Sequence, residues 1–234
     1  MSSTSTAEKL EAATYEDVHH RGHFANANAP PPPPPPIARP ALPNGAALGL
    51  FSFGATCIAI SLYTAGASSI SIPNAVLGLA LFTGGVAQFT GGVVEFARGV
   101  TFTGSVFTIY GTFWLSYAAV LLPNTGIATA YDGETRMLQN ALGIYFIIWS
   151  IITAMFLLTA LRKTLALVIL LSLLTVTFLF FGITEFTHGN SAVAKATGII
   201  GTITGFGAFY VGLGELLGAD PNPPFLLPQG VFKH

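Results

Sequence analysis

From Pro40 to Val94 the chain carries no Asp, Glu, Lys, Arg or His, and the stretches 99–131, 137–161, 164–184 and 196–214 are equally uncharged. A hydrocarbon core about 30 Å thick takes about 20 apolar residues as helix. The first stretch is long enough for two crossings and each of the others for one. This predicts an all-α integral membrane protein with six transmembrane helices per protomer. Only 8% of residues are charged, against roughly 25% in a soluble domain. A soluble helical bundle would also need a polar face on most helices, and these stretches offer none.

The predicted helices run from about Leu48 to Tyr63, Ala75 to Ala97, Thr103 to Leu122, Leu138 to Ala160, Leu165 to Phe186 and Val193 to Leu217. Pro73-Asn74, Pro123-Asn124 and Pro221 with Pro223 and Pro224 punctuate them, since proline interrupts a helix interior. This divides the chain into a tail at 1–47, a membrane domain at 48–217 and a short tail at 218–234. The first tail is polar and poor in large apolar residues, so disorder is expected. Its run Pro30 to Pro36 favours an extended polyproline II spacer, with an SH3 or WW ligand as the alternative. No secretory signal is expected, because the charged start is not followed by an apolar core. With the N-terminus inside, Lys9, Arg21, Arg39, Arg98, Arg162, Lys163 and Lys233 fall on the cytoplasmic side, and only Arg136 and Lys195 fall outside. The positive-inside bias therefore predicts both termini in the cytoplasm.

The inventory also excludes some classes of function. No basic cluster exists to hold a phosphate backbone, so no nucleic-acid partner is expected. No Cys/His cluster or nucleophile elbow is visible, so no enzyme activity, metal site or cofactor is expected. His19, His20 and His23 lie in the polar tail, where solvation is the simplest reading. Cys57 is the sole cysteine, and in an apolar helix it reads as an inert buried thiol.

Polar residues inside the spans carry most of the information. Gln88, Gly92 and Glu95 are spaced i, i+4, i+7 and share a face of the second helix. An intramembrane glutamate points to function, with pairing to Arg98 one turn on as the alternative. Gln88 lies deeper and must bond another helix or face a watered path. On the third helix Thr108, Thr112 and Ser116 form a hydroxyl stripe, and Tyr110, Trp114 and Tyr117 an aromatic one. Such hydroxyls glue helices together or bond back to their own backbone. Glycines concentrate on the second and sixth helices, including a GxxxG at Gly201 and Gly205 that permits close packing.

The run Asn44-Gly45-Ala46-Ala47-Leu48-Gly49-Leu50-Phe51-Ser52-Phe53 resembles the N-P-A-P-L-G-L-x-G-F signature of the acetate uptake transporter family. That family includes bacterial succinate–acetate permeases and fungal proteins linked to acetate uptake and ammonium export. Gly84-Gly85-Val86-Ala87-Gln88, Glu95-Phe96, Tyr110-Gly111-Thr112-Phe113-Trp114, Tyr210 and Gly214-Glu215 extend the resemblance, in order, from Asn44 to Leu217. Gly45 and Ala47 stand where the signature has proline. Proline would fix a non-helical approach to the first helix, whereas glycine permits that path without imposing it.

The resemblance implies a homohexamer with a pathway through each protomer and a hydrophobic constriction of Phe, Tyr and Leu. By position these are Phe53, Tyr110 and Leu174, with Leu173 competing for the last place. It further implies a cytoplasmic vestibule shaped by Asn44, Leu48 and Gly49, and polar pathway or coupling residues Gln88, Glu95 and Thr112. A bare carboxylate in an apolar neck costs several kcal/mol unless paired, and a protonated acid avoids most of that. Neutral donors such as the Tyr110 hydroxyl and Thr112 replace part of the water shell without trapping the solute, which a fixed cation would do. The expected function is a plasma-membrane transporter or channel for acetate and related small monocarboxylates, coupled to protons. The alternatives are an ammonia or ammonium exporter, or a membrane sensor or scaffold acting through the proline-rich tail.

Overall fold

The computed structural model describes residues 42–70 and 72–230. The polyproline run, the tail histidines and the last four residues lie outside that range. Among the described residues six helices are long and apolar enough to cross a membrane: α1 Ala46–Thr64, α2 Pro73–Ala97, α3 Thr101–Leu121, α4 Thr135–Ala160, α5 Leu165–Phe186 and α6 Ser191–Ala219. The protein is thus an integral, multi-pass membrane protein. Local chemistry sets several of the ends. Pro73 stands in the first turn of α2, where a missing N–H costs nothing. Thr164 caps α5 by accepting from the Leu167 amide. Asn190 caps α6 by accepting from the Ala192 and Val193 amides. The α1 and α6 helices begin two residues earlier than hydropathy predicted, and α6 also ends two residues later.

The middle of α2 departs from α geometry: Leu79–Ala87 is π-helical, and regular α structure resumes at Gln88. Long π stretches are rare and frequently lie at functional sites. Hydropathy and motif spacing carry no signal for it.

The helices form a ring in chain order. α1 packs against α2 and α6, α2 against α3, α4 against α5, and α5 against α6. Small residues allow the close seams, as glycine-rich helices do in lipid. A Cβ on Gly205 would strike Ile58 Cγ1, and one on Gly54 would meet the Gly205 carbonyl oxygen at 2.9 Å, so α1 and α6 touch along this line. A Cβ on Gly92 would meet the Thr108 backbone nitrogen at 2.6 Å across the α2–α3 seam. The GxxxG at Gly201 and Gly205 therefore lies on a true helix contact. Where α3 meets α4 the link is by large side chains: Phe113 and Trp149 stack edge to face at 5.0 Å, and Tyr110 and Phe156 lie 5.9 Å apart.

Asn44 Nδ2 donates to Glu215 Oε2 at 3.0 Å, which brings the start of α1 and the last turns of α6 to one end of the bundle. Beyond α6, residues 220–230 form no free tail. They fold back onto α5 and α6, where the Leu165 amide donates to the Gly230 carbonyl at 2.8 Å.

Candidate functional site: an apolar cavity with one unpaired amide

A cavity of about 260 Å³ enters the bundle from the end that carries Asn44 and Glu215. Thr103, Lys163, Thr164 and Glu215 contribute to its lining there. Its deep part is walled by Phe53 of α1, Gln88 of α2, Tyr110 of α3 and Leu174 of α5. These four lie about seven to nine residues in from that end of their helices, roughly 10–14 Å at 1.5 Å per residue, and so form one layer near mid-membrane. Drug-sized ligand sites measure about 300–1,000 Å³, so this volume suits a small solute.

A second cavity, about 20 Å³, lies beyond this layer, among Phe113, Trp114, Phe146 and Phe178. A water needs about 10–15 Å³ of such space, so there is room for little else. Phe53 and Leu174 alone line both cavities and therefore form the partition. Leu173 lines neither; it faces a lateral groove between α5 and α6. Phe53 and Tyr110 have ring centroids 6.1 Å apart, and Tyr110 stacks on Phe178 at 6.2 Å. The larger cavity reaches from one end as far as Phe53 and Leu174, and aromatic rings fill most of the space beyond them.

Polar groups around this cavity separate into paired and unpaired. The Tyr110 hydroxyl donates to Thr153 Oγ1 at 2.9 Å, and Thr153 in turn donates to the Trp149 carbonyl. Tyr110 is thus fastened to α4, and its hydroxyl proton is used there rather than being free toward the cavity. Gln88 is different. It is 1% exposed, and neither Oε1 nor Nε2 has a hydrogen-bond partner among the described residues. An unpaired buried amide costs about 1–3 kcal/mol, and such a group in an otherwise apolar wall points to a ligand that completes it.

Glu95 shares a helix face with Gln88 but has another environment. Its Oε1 accepts from the Gly45 amide at 2.9 Å and from Arg98, and its Oε2 accepts from Thr103 Oγ1 at 2.7 Å. The pairing with Arg98 is present, and the carboxylate also joins α1 and α3 to α2. It does not line the cavity, although Thr103 beside it does. A carboxylate 2% exposed is tolerable with this many charge-assisted bonds, so its place is that of a clasp.

Thr112 is not brought to the site. It lies two residues from Tyr110, about 200° around the helix, so the two cannot share a face. Thr112 is exposed, and its hydroxyl donates to its own Ile109 carbonyl. Thr108 and Ser116 also bond back to α3, so the hydroxyl stripe satisfies itself. Leu48 is exposed and borders none of these cavities. Gly49 is a packing position: a Cβ there would strike the Phe107 ring at 2.6 Å. Asn44 does border a polar vestibule of about 490 Å³ with Arg98 and Glu215. Its Oδ1 accepts from the Ala46 amide at 2.8 Å and from Arg98 at 3.3 Å. Glu215 and Lys163 are lining residues that hydropathy and motif spacing did not single out as pathway positions. Lys163 holds its ammonium 4.4 Å from the centroid of the Phe102 ring, and its only sequence signal is its place in the tight Arg162-Lys163 turn.

A model of the GPR1/FUN34/yaaH family matches residues 25–232. Ammonia transport outward protein 2 of Saccharomyces cerevisiae is 38% identical over 167 residues, which is 71% of this chain and 59% of that protein. Acetate permease A of Emericella nidulans is 34% identical over 198 residues, 81% of this chain and 66% of that one. The succinate-acetate/proton symporter SatP of Escherichia coli K12 is 34% identical over 177 residues, 75% of this chain and 89% of the symporter. The solved structure of the bacterial acetate channel SatP superposes with a TM-score of 0.71 at 33% identity, covering 81% of this chain and 99% of that one. The chain spans 59% of the length of the Saccharomyces relatives it matches.

Proposed function

The chain belongs to the GPR1/FUN34/yaaH family, and from that premise we propose that it carries acetate and related small monocarboxylic acids across the plasma membrane together with protons. The observation that carries this reading is the unpaired Gln88 amide in the wall of a small apolar cavity. A protonated carboxylic acid complements an amide at both atoms: its O–H donates to Oε1 and its carbonyl accepts from Nε2. A carboxylate can use only the Nε2 donor and sets its charge against Oε1. The acid form is also the one that an apolar partition of Phe53 and Leu174 admits without a large desolvation cost.

In this reading acetate enters at the end carrying Asn44, Lys163 and Glu215, which is the cytoplasmic end. The exposed Lys163 ammonium attracts the anion without holding it at depth. The acid pairs with Gln88, and passage then requires Phe53 and Leu174 to part while Tyr110 stays fastened to Thr153. Glu95 acts by fixing the approach to α1. The working assembly is a homohexamer, with one pathway in each protomer.

Labelled acetate flux into proteoliposomes, measured at two pH values with acetate concentration held constant, tests the proposal. Flux should rise at the lower pH and fall with Gln88→Leu. Flux equal to that of empty liposomes at both values, from protein shown to be folded, defeats it. Ammonia is the second reading, favoured by its outward transport by a relative 38% identical to this chain and by Gln88 Oε1, which also accepts from ammonia. Competition between acetate and ammonium fluxes separates the two.

A further inference from the structure

Residues 228–230 make a set of contacts that the pathway described above does not use. The first amides of any helix lack internal partners. In α5, the Leu165 amide donates to the Gly230 carbonyl at 2.8 Å and the Ala166 amide to the Gln229 carbonyl at 3.1 Å. The Leu167 amide goes to the Thr164 side chain at 3.3 Å. The same short segment is tied to α6, because the Tyr210 hydroxyl donates to the Pro228 carbonyl at 2.6 Å. Gln229 also lies over Gly214, where a Cβ would meet its side-chain nitrogen. The segment thus bridges the end of α5 and the last turns of α6, the two helices that supply Leu167, Leu170, Leu174, Val211 and Glu215 to the cavity.

Behind that wall lies the lateral groove of about 400 Å³ between α5 and α6, which Pro228, Gln229 and Gly230 border from above. Leu170 and Val211 line both this groove and the transport cavity, so they alone separate the two. Two side chains on different helices make a tight wall only while the helices stay together. Thr177 Oγ1 and Thr204 Oγ1 join α5 to α6 deeper in the bundle, at 2.8 Å. At the end carrying Glu215, the bridging contacts are those of residues 228–230.

We infer that Pro228-Gln229-Gly230 is a staple that positions the first turns of α5 against α6 and keeps the transport cavity closed sideways at Leu170 and Val211. The inference takes the cavity as the acid pathway and so rests on the function proposed above. Gly230 is suited to the bend because its φ is +66°, in the left-handed region that other residues avoid, and a Cβ there would meet Leu165 Cβ at 2.7 Å.

The experiment compares wild type, Gly230→Val and Tyr210→Phe, each as the full chain. Gly230→Val strains the bend and pushes on Leu165, so both amide bonds should loosen. Tyr210→Phe removes only the tether to Pro228 and spares the fold, which keeps the test alive if the first variant does not assemble. Hydrogen exchange at the Leu165 and Ala166 amides should quicken about 2- to 10-fold in Tyr210→Phe, the worth of one hydrogen bond, and about 10- to 100-fold in Gly230→Val. A cysteine introduced by Leu170→Cys should react faster with a water-soluble thiol reagent in both backgrounds, the sole native thiol, Cys57, being buried. The concentration giving half-maximal acetate flux should rise several-fold while the maximal rate per molecule changes little. Unchanged exchange overturns the staple. Faster exchange with unaltered thiol reactivity and half-saturation also overturns it, because capping without positioning would then be all the segment does. Absence of acetate flux in the wild type defeats the proposed function, whereas the exchange and thiol measurements still decide whether residues 228–230 hold the wall.

Discussion

Proline at position 45, as in the N-P-A-P signature that this segment resembles, should weaken this protein. Gly45 has φ −80° and ψ −12°, values proline tolerates, so backbone shape is no obstacle. The obstacle is chemical. The Gly45 amide donates to buried Glu95 at 2.9 Å, and proline has no N–H. Losing a hydrogen bond to a charged group costs about 1.5–3 kcal/mol. A Cβ at this position would also meet the Gly91 carbonyl oxygen at 2.5 Å and Val94 Cβ at 3.1 Å, and overpacking of that kind costs about 1–3 kcal/mol. Proline regains about 0.4–1 kcal/mol by restricting the unfolded chain. The net loss is about 2–5 kcal/mol, which for a chain of this size lowers the melting temperature by about 5–15 °C. Thermal unfolding of detergent-solubilised protein, followed by loss of the folded size-exclusion peak, measures it. Gly45→Ala keeps the N–H and should show only the packing part. Ala47→Pro stands in the first turn of α1, where proline is tolerated, and should shift stability by no more than about 1 kcal/mol. A Gly45→Pro protein that melts at or above the wild-type temperature refutes the reasoning.

The other predictions concern the cavity. Gln88→Leu should raise thermal stability, by relieving an unpaired amide worth about 1–3 kcal/mol, while acetate flux falls about tenfold or more; a variant that loses both stability and flux contradicts the assignment. Leu174→Ala should cost about 2–5 kcal/mol of stability and admit larger acids such as lactate, whereas Leu173→Ala should leave the size profile unchanged in the same uptake assay. Thr112→Ala should change neither acetate flux nor melting by more than about 0.5 kcal/mol, because its hydroxyl only bonds back to α3.

Gln88 and Glu95 show how far reading from the chain could go. Their spacing placed them on one face of α2, and both are buried there. Which of them is free for a solute depends on partners far away in sequence. Glu95 is taken by Gly45, fifty residues off, and by Thr103, while among the described residues none bonds to the Gln88 amide. The choice of Leu174 over Leu173 likewise turned on the rotation of α5, which hydropathy cannot supply in a helix apolar all round. Thr112 is the opposite case, since its angular distance from Tyr110 was available from helix periodicity alone. The Asn44 bond to Glu215 spans 171 positions and joins the start of α1 to the last turns of α6 beside the vestibule, which no local motif reveals.

Lipid imposes a length and a lack of charge on every crossing, and both are properties of a continuous stretch of chain. The number of spans, their approximate limits and the family signature at Asn44–Phe53 were therefore fixed by the order of residues. The partition at Phe53 and Leu174, the clasp at Glu95, the solitary amide of Gln88 and the returning segment at 228–230 were decided by the tertiary structure. Each depends on how helices turn and settle against one another, and in an apolar solvent that turning is governed by packing and by pairing of a few distant polar groups rather than by any stripe written along a single helix.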